Sequence, residues 1–255
     1  MRFDVVTLFP QLFAPLLEEG VTRRAFESAQ VDVRFTNPRD FAEGNYRRVD
    51  DRPFGGGPGM VMMAQPLAKC LEQIRASRAD ASPVVLFSPL GKTLTHADVQ
   101  RWATSEGAIL VCGRYEGIDQ RFVDTHVDEQ ISLGDFVLSG GEIAAMALLD
   151  AVARLQPGVL SDAMSHQQDS FNPALDGLLD CPHYTRPEHW SGMPVPAVLM
   201  SGHHGDIERW RRDRSLLLTL AHRPDLVALA RAEGRLSARD EACLAPGVVN
   251  DSTGP

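Results

Sequence analysis

The strongest constraint on this chain is an alternation of short apolar runs with segments whose apolar residues recur at helical spacing. Phe3 to Leu8 reads as a buried strand. Pro10 opens a helix carrying Leu12, Phe13, Leu16 and Leu17, and Gly20 stops it. Val31, Val33 and Phe35 alternate like a strand, and Leu67, Leu71 and Ile74 return to helical spacing. Strands at Val84–Phe87 and Ala108–Cys112 flank a helix near 95–105, and a further helix spans Ile143–Arg154. Strands interleaved with helices imply an α/β domain with a mostly parallel sheet covered on both faces. With 255 residues, 44% of them hydrophobic, the chain can bury such a core without disulfide or metal staples.

After Gln156-Pro157-Gly158 the texture changes. Residues 161–175 read as a polar linker or lid. The stretch CPHYTRPEHWSGMPVP is proline-rich and reads as irregular, and helices follow at Asp206–Leu220 and Pro224–Ala232. The expected organisation is a catalytic domain over 1–160, the linker over 161–175, a small, mainly helical domain over 176–245 and a disordered tail over 246–255.

Lys and Arg total 25 against 34 Asp and Glu, a net charge of −9, which excludes a histone-like polycation but not a local basic site. The dense basic patch is Arg209-Trp210-Arg211-Arg212-Asp213-Arg214. A solvated helix face and a phosphate-contacting one both fit it. Cys70, Cys112, Cys181 and Cys243 are scattered, with no CxxC element, and suit a reducing cytoplasm. MRFDVVTLFP is interrupted by Asp4 and Pro10, too short and polar for a signal peptide, and no apolar run approaches the ~18 residues of a membrane span.

Three glycine-rich loops fall at expected strand ends: Ser88-Pro89-Leu90-Gly91, Gly113-Arg114-Tyr115-Glu116-Gly117-Ile118-Asp119, and Leu133-Gly134-Asp135-Phe136-Val137-Leu138-Ser139-Gly140-Gly141-Glu142. Glycine there closes tight turns, or lets backbone approach a flat ligand at the crevice of an open sheet. Neither GxGxxG nor GxxxxGK[ST] is present, which argues against a nicotinamide oxidoreductase and a P-loop. His166, His203 and His204 lack metal-ligand spacing, and no metal site is expected.

The strings VDDRPFGGGPGM (49–60), LVCGRYEGIDQR (110–121), GDFVLSGGE (134–142), DSF (169–171), GLLDCPHYTRP (177–187) and SGHHGDIERWR (201–211) run in order along the chain. Together they resemble the bacterial tRNA (guanine-N1-)-methyltransferases, which act at position 37 beside the anticodon. The resemblance extends to about residue 230. It implies a SPOUT fold with a deep trefoil knot, an obligate homodimer with a composite active site, tRNA as substrate and S-adenosylmethionine as methyl donor. It also implies a cofactor site of Ser88, Pro89, Gly113, Tyr115, Glu116, Gly117, Leu133, Gly134, Asp135, Phe136, Val137, Leu138, Gly140 and Gly141. By the same resemblance Asp169 is the general base and Arg154 its companion. Asp50, Gly59, Arg209, Arg211 and Arg214 would contact the tRNA, and Mg²⁺ would assist without a dedicated site. Leu133, Phe136, Phe54 and Gln168 depart from residues usual in that family. Rival readings are a SPOUT methyltransferase acting on another RNA, and a non-catalytic RNA-binding protein.

Overall fold

The computed structural model describes residues 1–160 and 165–245. The expected tail at 246–255 and the first residues of the expected linker, 161–164, lie outside that range. The chain divides into two compact units, Met1–Asp162 and Ala163–Pro255.

In the first unit the elements follow as β1 (Arg2–Val6), α1 (Ala14–Glu18), α2 (Arg23–Glu27), β2 (Asp32–Thr36), β3 (Asp50–Asp51), β4 (Val61–Met62), α3 (Ala64–Ala76), β5 (Val84–Thr93), α4 (His96–Ala103), β6 (Gly107–Val111), α5 (Gln120–His126), β7 (Glu129–Ser132) and α6 (Glu142–Ala153). Five strands form one sheet in the order β2-β1-β6-β5-β7, with every pairing parallel. β6 is buried at all five residues, as expected of a strand covered on both faces. One face packs Phe3, Val5, Val85, Ala108 and Leu110 against α4 and α6 residues such as Trp102, Leu148 and Leu149. The other packs Val6, Val84, Leu86, Ile109 and Val111 against Leu67, Leu71 and Ile74 of α3 and Phe122 of α5.

Two elements of the first unit differ from the sequence expectation. The helix expected from Pro10 begins as a 3-10 turn, Pro10–Phe13, and becomes α-helical only over Ala14–Glu18; Pro15 has no N–H with which to carry one hydrogen-bond ladder across the junction. The strand expected to end at Phe87 continues to Thr93. Phe87 and Lys92 both pair with Ile131, so residues 88–91 form a bulge inside one strand rather than a loop after it.

The second unit carries a small hairpin, β8 (His189–Trp190) with β9 (Met193–Pro194), in the stretch expected to be irregular. Ser191 and Gly192 between them both have positive φ, the backbone that a two-residue hairpin turn requires. Three helices follow, α7 (His204–His222), α8 (Pro224–Ala232) and α9 (Ala238–Leu244). Leu178, Leu216, Val227, Ala230 and Cys243 form their common core. No helix among the described residues is long and apolar enough to cross a membrane.

Candidate active site

The three glycine-rich segments meet in one cavity of about 480 Å³ in the first unit, inside the ~300–1,000 Å³ range of small-molecule sites. Leu86, Ile118, Val123, Ile131, Leu138 and Ala144 supply apolar walls, while Ser88, Arg114, Glu116, Gln120 and Ser132 bring polar groups. Of the fourteen residues expected at a cofactor site, Asp135 alone is outside the lining. Phe136 N–H donates to the Gly134 carbonyl at 2.9 Å, and this tight turn leaves Asp135 exposed. Gln130, Ile131 and Ser132 of β7 also line the cavity, outside the three expected segments.

The glycines divide into two kinds. The nearest atoms to a Cβ at Gly113 would be Ile118 Cδ1 at 3.5 Å, Ile118 Cγ1 at 3.6 Å and Leu86 Cδ1 at 3.8 Å, ordinary contacts among lining residues. At Gly91 a Cβ would lie 2.4 Å from Ile131 N, and at Gly141 2.8 Å from Cys112 Cα. Those two glycines allow backbone to pass against backbone, so their role is packing of the protein on itself rather than room for a ligand. Gly141 N–H also donates to the Gly113 carbonyl at 3.0 Å, tying the second and third loops together.

The segment expected to hold substrate lies along the second loop. Glu116 N–H donates to the Met60 carbonyl at 2.9 Å, and Met62 N–H to the Gly117 carbonyl at 2.8 Å. Gly59 is packed so closely on Glu116 that a Cβ would lie 2.4 Å from its side chain. Asp50 pairs with Met62 across β3 and β4. The Tyr115 phenol is held above its usual pKa, first by burial and then by the negative charge of Asp50, with Arg39 opposing. The segment of Asp50 and Gly59 is thus brought against Tyr115 and Glu116 of the cavity lining.

Arg154 caps the C-terminus of α6, its N–H donating to the Asp150 carbonyl at 3.0 Å. The DSF segment belongs to the second unit and forms a compact loop there. Asn172 N–H donates to the Asp169 carbonyl at 3.2 Å, Phe171 N–H to the Leu178 carbonyl at 2.8 Å, and Asp180 N–H to Ser170 Oγ at 2.9 Å. Phe171 has a φ of 69°, a strained value for an aromatic residue, and its ring lies 6.0 Å from the Arg223 guanidinium. Asp169 is half-buried at the start of this pinned loop.

The arginines of α7 are not equivalent. Arg209 pairs with Asp213 and, at 2.9 Å, with Asp240. Arg212 pairs with Asp176 at 2.7 Å and Asp240 at 3.2 Å. Arg209, expected to contact substrate, is therefore engaged in holding α7 to α9. Arg211 is exposed, and Arg214 lies 5.6 Å from the Trp210 ring. Among the described residues one trio, Asp180, Cys181 and His183, places possible metal-ligand atoms within 4.8 Å of one another. Asp180 and His183 already hydrogen-bond to each other there, at 2.8 Å. His203 and His204 are not part of it, and the side chain of His166 lies outside the described residues.

A family model described as tRNA (Guanine-1)-methyltransferase TrmD matches residues 1–229. The chain is 74% identical over 248 residues to a tRNA (guanine-N(1)-)-methyltransferase of Albidiferax ferrireducens, covering 97% of this chain and 100% of that one. It is 72% identical over 249 residues to the protein so named in Polaromonas sp., covering 96% of each chain. It is 58% identical over 249 residues to that of Burkholderia mallei, covering 96% of this chain and 93% of the relative. The family model and these relatives match over nearly the whole length, and this chain belongs to the tRNA (guanine-1)-methyltransferase TrmD family.

Proposed function

We propose that this chain is a methyltransferase that moves a methyl group from S-adenosylmethionine to N1 of guanine in tRNA, at position 37 beside the anticodon. The observation that carries the reading is the 480 Å³ cavity made by the three loops, in a chain 74% identical to a protein named for that activity.

The lining residues fit such a donor. Apolar walls suit its adenine, backbone groups from Leu133 to Leu138 and around Gly113 suit the adenine nitrogens, and Glu116 offers a carboxylate to a cationic group. When bound, S-adenosylmethionine supplies a methyl group already activated by its sulfonium. The protein's own task is alignment and proton removal. Guanine N1 carries a proton at neutral pH, and its lone pair is released only as that proton leaves. Asp169 takes the proton, a step worth about 10²–10⁴-fold when the base is well placed. Arg154 donates to guanine O6 as negative charge spreads onto it. Asp50 and Gly59 hold the target base beside Tyr115 and Glu116, and Arg211 and Arg214 contact phosphates of the anticodon stem. In this reading the first unit contains the trefoil knot, and two copies of the chain form one composite site, the DSF loop of one serving the cavity of the other. Mg²⁺ assists without a dedicated site, and the enzyme works in the cytoplasm.

Radiolabelled methyl transfer to unmodified tRNA transcripts tests the proposal. Label is expected on a transcript with G37 and not on the same transcript with A37. Equal labelling of both, or of neither while ribosomal RNA is labelled, overturns it.

A further inference from the structure

Glu142 opens α6 beneath the cavity and is only 1% exposed. A carboxylate so buried needs partners, and it has two. Thr7 Oγ1, at the end of β1, donates to Glu142 Oε1 at 2.9 Å. Arg114 Nε lies 2.9 Å from Glu142 Oε2. Arg114 lines the cavity, and its Nη1 donates to the Ser139 carbonyl at 3.1 Å. Its guanidinium also stands 4.5 Å from the Phe9 ring, so the planar group is fixed on several sides.

This arrangement explains the first of the paired glycines. Arg114 and Gly140 face each other across an isolated bridge. A Cβ at Gly140 would lie 2.3 Å from Arg114 Nε and 2.6 Å from Glu142 Oε2. Only glycine lets the ion pair occupy that space.

We infer that Glu142 is a positioning residue for methyl-donor binding: through Arg114 it locks the loop at 113–117 to the loop at 134–141, the two walls between which the donor sits. The inference rests on the cofactor reading of the cavity and adds residues that reading does not use. Glu142 is buried and is not part of the cavity lining. It acts by holding Arg114, whose fork spans Glu142 and the Ser139 carbonyl as a lysine ammonium cannot.

The test is calorimetric binding of S-adenosylhomocysteine to the wild-type protein and to Glu142→Gln, Arg114→Lys and the double variant, each with its thermal unfolding recorded. Each single variant is expected to bind about tenfold or more weakly, the scale of breaking a buried ion pair, while still unfolding cooperatively well above the assay temperature. The double variant is expected to be no weaker than the weaker single, since both remove the same link. KM for S-adenosylmethionine is expected to rise more than kcat falls; a purely structural loss would lower the active fraction and leave KM unchanged. Wild-type affinity in a folded Glu142→Gln protein, or losses that add in the double variant, overturns the inference. If Glu142→Gln does not fold, Arg114→Lys decides alone, and unchanged affinity there overturns it equally. Failure of the wild-type protein to bind S-adenosylhomocysteine overturns the cofactor reading itself.

Discussion

The first unit buries both faces of a five-stranded sheet, with large side chains such as Phe3, Trp102, Leu148 and Phe122 wholly enclosed. The second buries a handful of small and medium residues, Leu178, Leu216, Val227, Ala230 and Cys243. Around that small core it gathers Asp176, Arg209, Arg212, Asp213 and Asp240 into an ion-pair network. The difference teaches how each unit is specified. The first is set by apolar burial over many residues, and the loops of its cavity are held from below by that core. The second relies on charges whose partners must all be present. Asp240 is its centre: burial pushes its carboxyl up, but hydrogen bonds from Arg212, Ser237 and Arg209 outweigh that and hold it well below the usual carboxylate range.

The comparison breaks most sharply at Asp240. Asp240→Ala leaves Arg209 and Arg212 without their shared acceptor, and it is expected to cost the second unit about 3–5 kcal/mol. Hydrogen exchange should then accelerate throughout α7 to α9 while β1 and β6 stay protected. Unchanged protection of α7 would show that the network adds nothing to stability. The same group fixes the sign of an acid effect. Its folded-state pKa is depressed, so its contribution is present above its unfolded value of about 3.9 and is lost as pH falls through the folded one. Protection of α7 and α9, relative to the intrinsic exchange rate at each pH, is expected to fall below about pH 4, and Asp240→Asn should flatten that dependence.

The counterpart in the first unit is apolar. Leu148→Ala removes a fully buried side chain from α6 and should cost about 2–5 kcal/mol through lost burial and the cavity left behind. The cost should be independent of pH between 4 and 8, as measured by urea unfolding at each pH. A pH-dependent loss would mean that the core of the first unit also leans on titrating groups. At the cavity itself, Gly113→Leu places a side chain beside Ile118 and Leu86. Weaker binding of S-adenosylhomocysteine by about 1–3 kcal/mol is expected, the usual scale of overpacking. Unchanged affinity in calorimetry would move the donor away from this wall.

The same contrast accounts for what could be read without coordinates. The strands at Val84 and Ala108 and the helices on Leu67 and Ile143 carry continuous or periodic apolar residues, and each appears with ends shifted by a few positions. β7 was missed because an edge strand reading Glu129-Gln130-Ile131-Ser132 shows a single apolar residue. α9 was missed for a related reason: Ser237 and Asp240 start it with a reciprocal cap, a local polar signal in a segment with little apolar periodicity. At the cavity, glycine marked the loops but not their purpose. That Gly91 and Gly141 serve backbone packing, and Gly140 an ion pair, depends on which strands lie side by side, and no local pattern encodes that. The pairing of Arg209 with Asp240 is of the same kind, since its partner lies 31 residues away in sequence. The role proposed for Asp169 rests on family resemblance alone; its loop has the composition of any polar turn.

The central claim is that proton removal and donor binding belong to different parts of the chain, and Asp169→Asn tests it most directly. The amide keeps the size of the carboxylate but cannot accept the N1 proton. Single-turnover methyl transfer to a G37 transcript, measured beside S-adenosylhomocysteine affinity, is predicted to fall about 10²-fold or more with affinity unchanged, and the residual rate should rise with pH as N1 ionises unaided. A near-normal single-turnover rate at neutral pH, or loss of donor affinity in its place, would contradict the account.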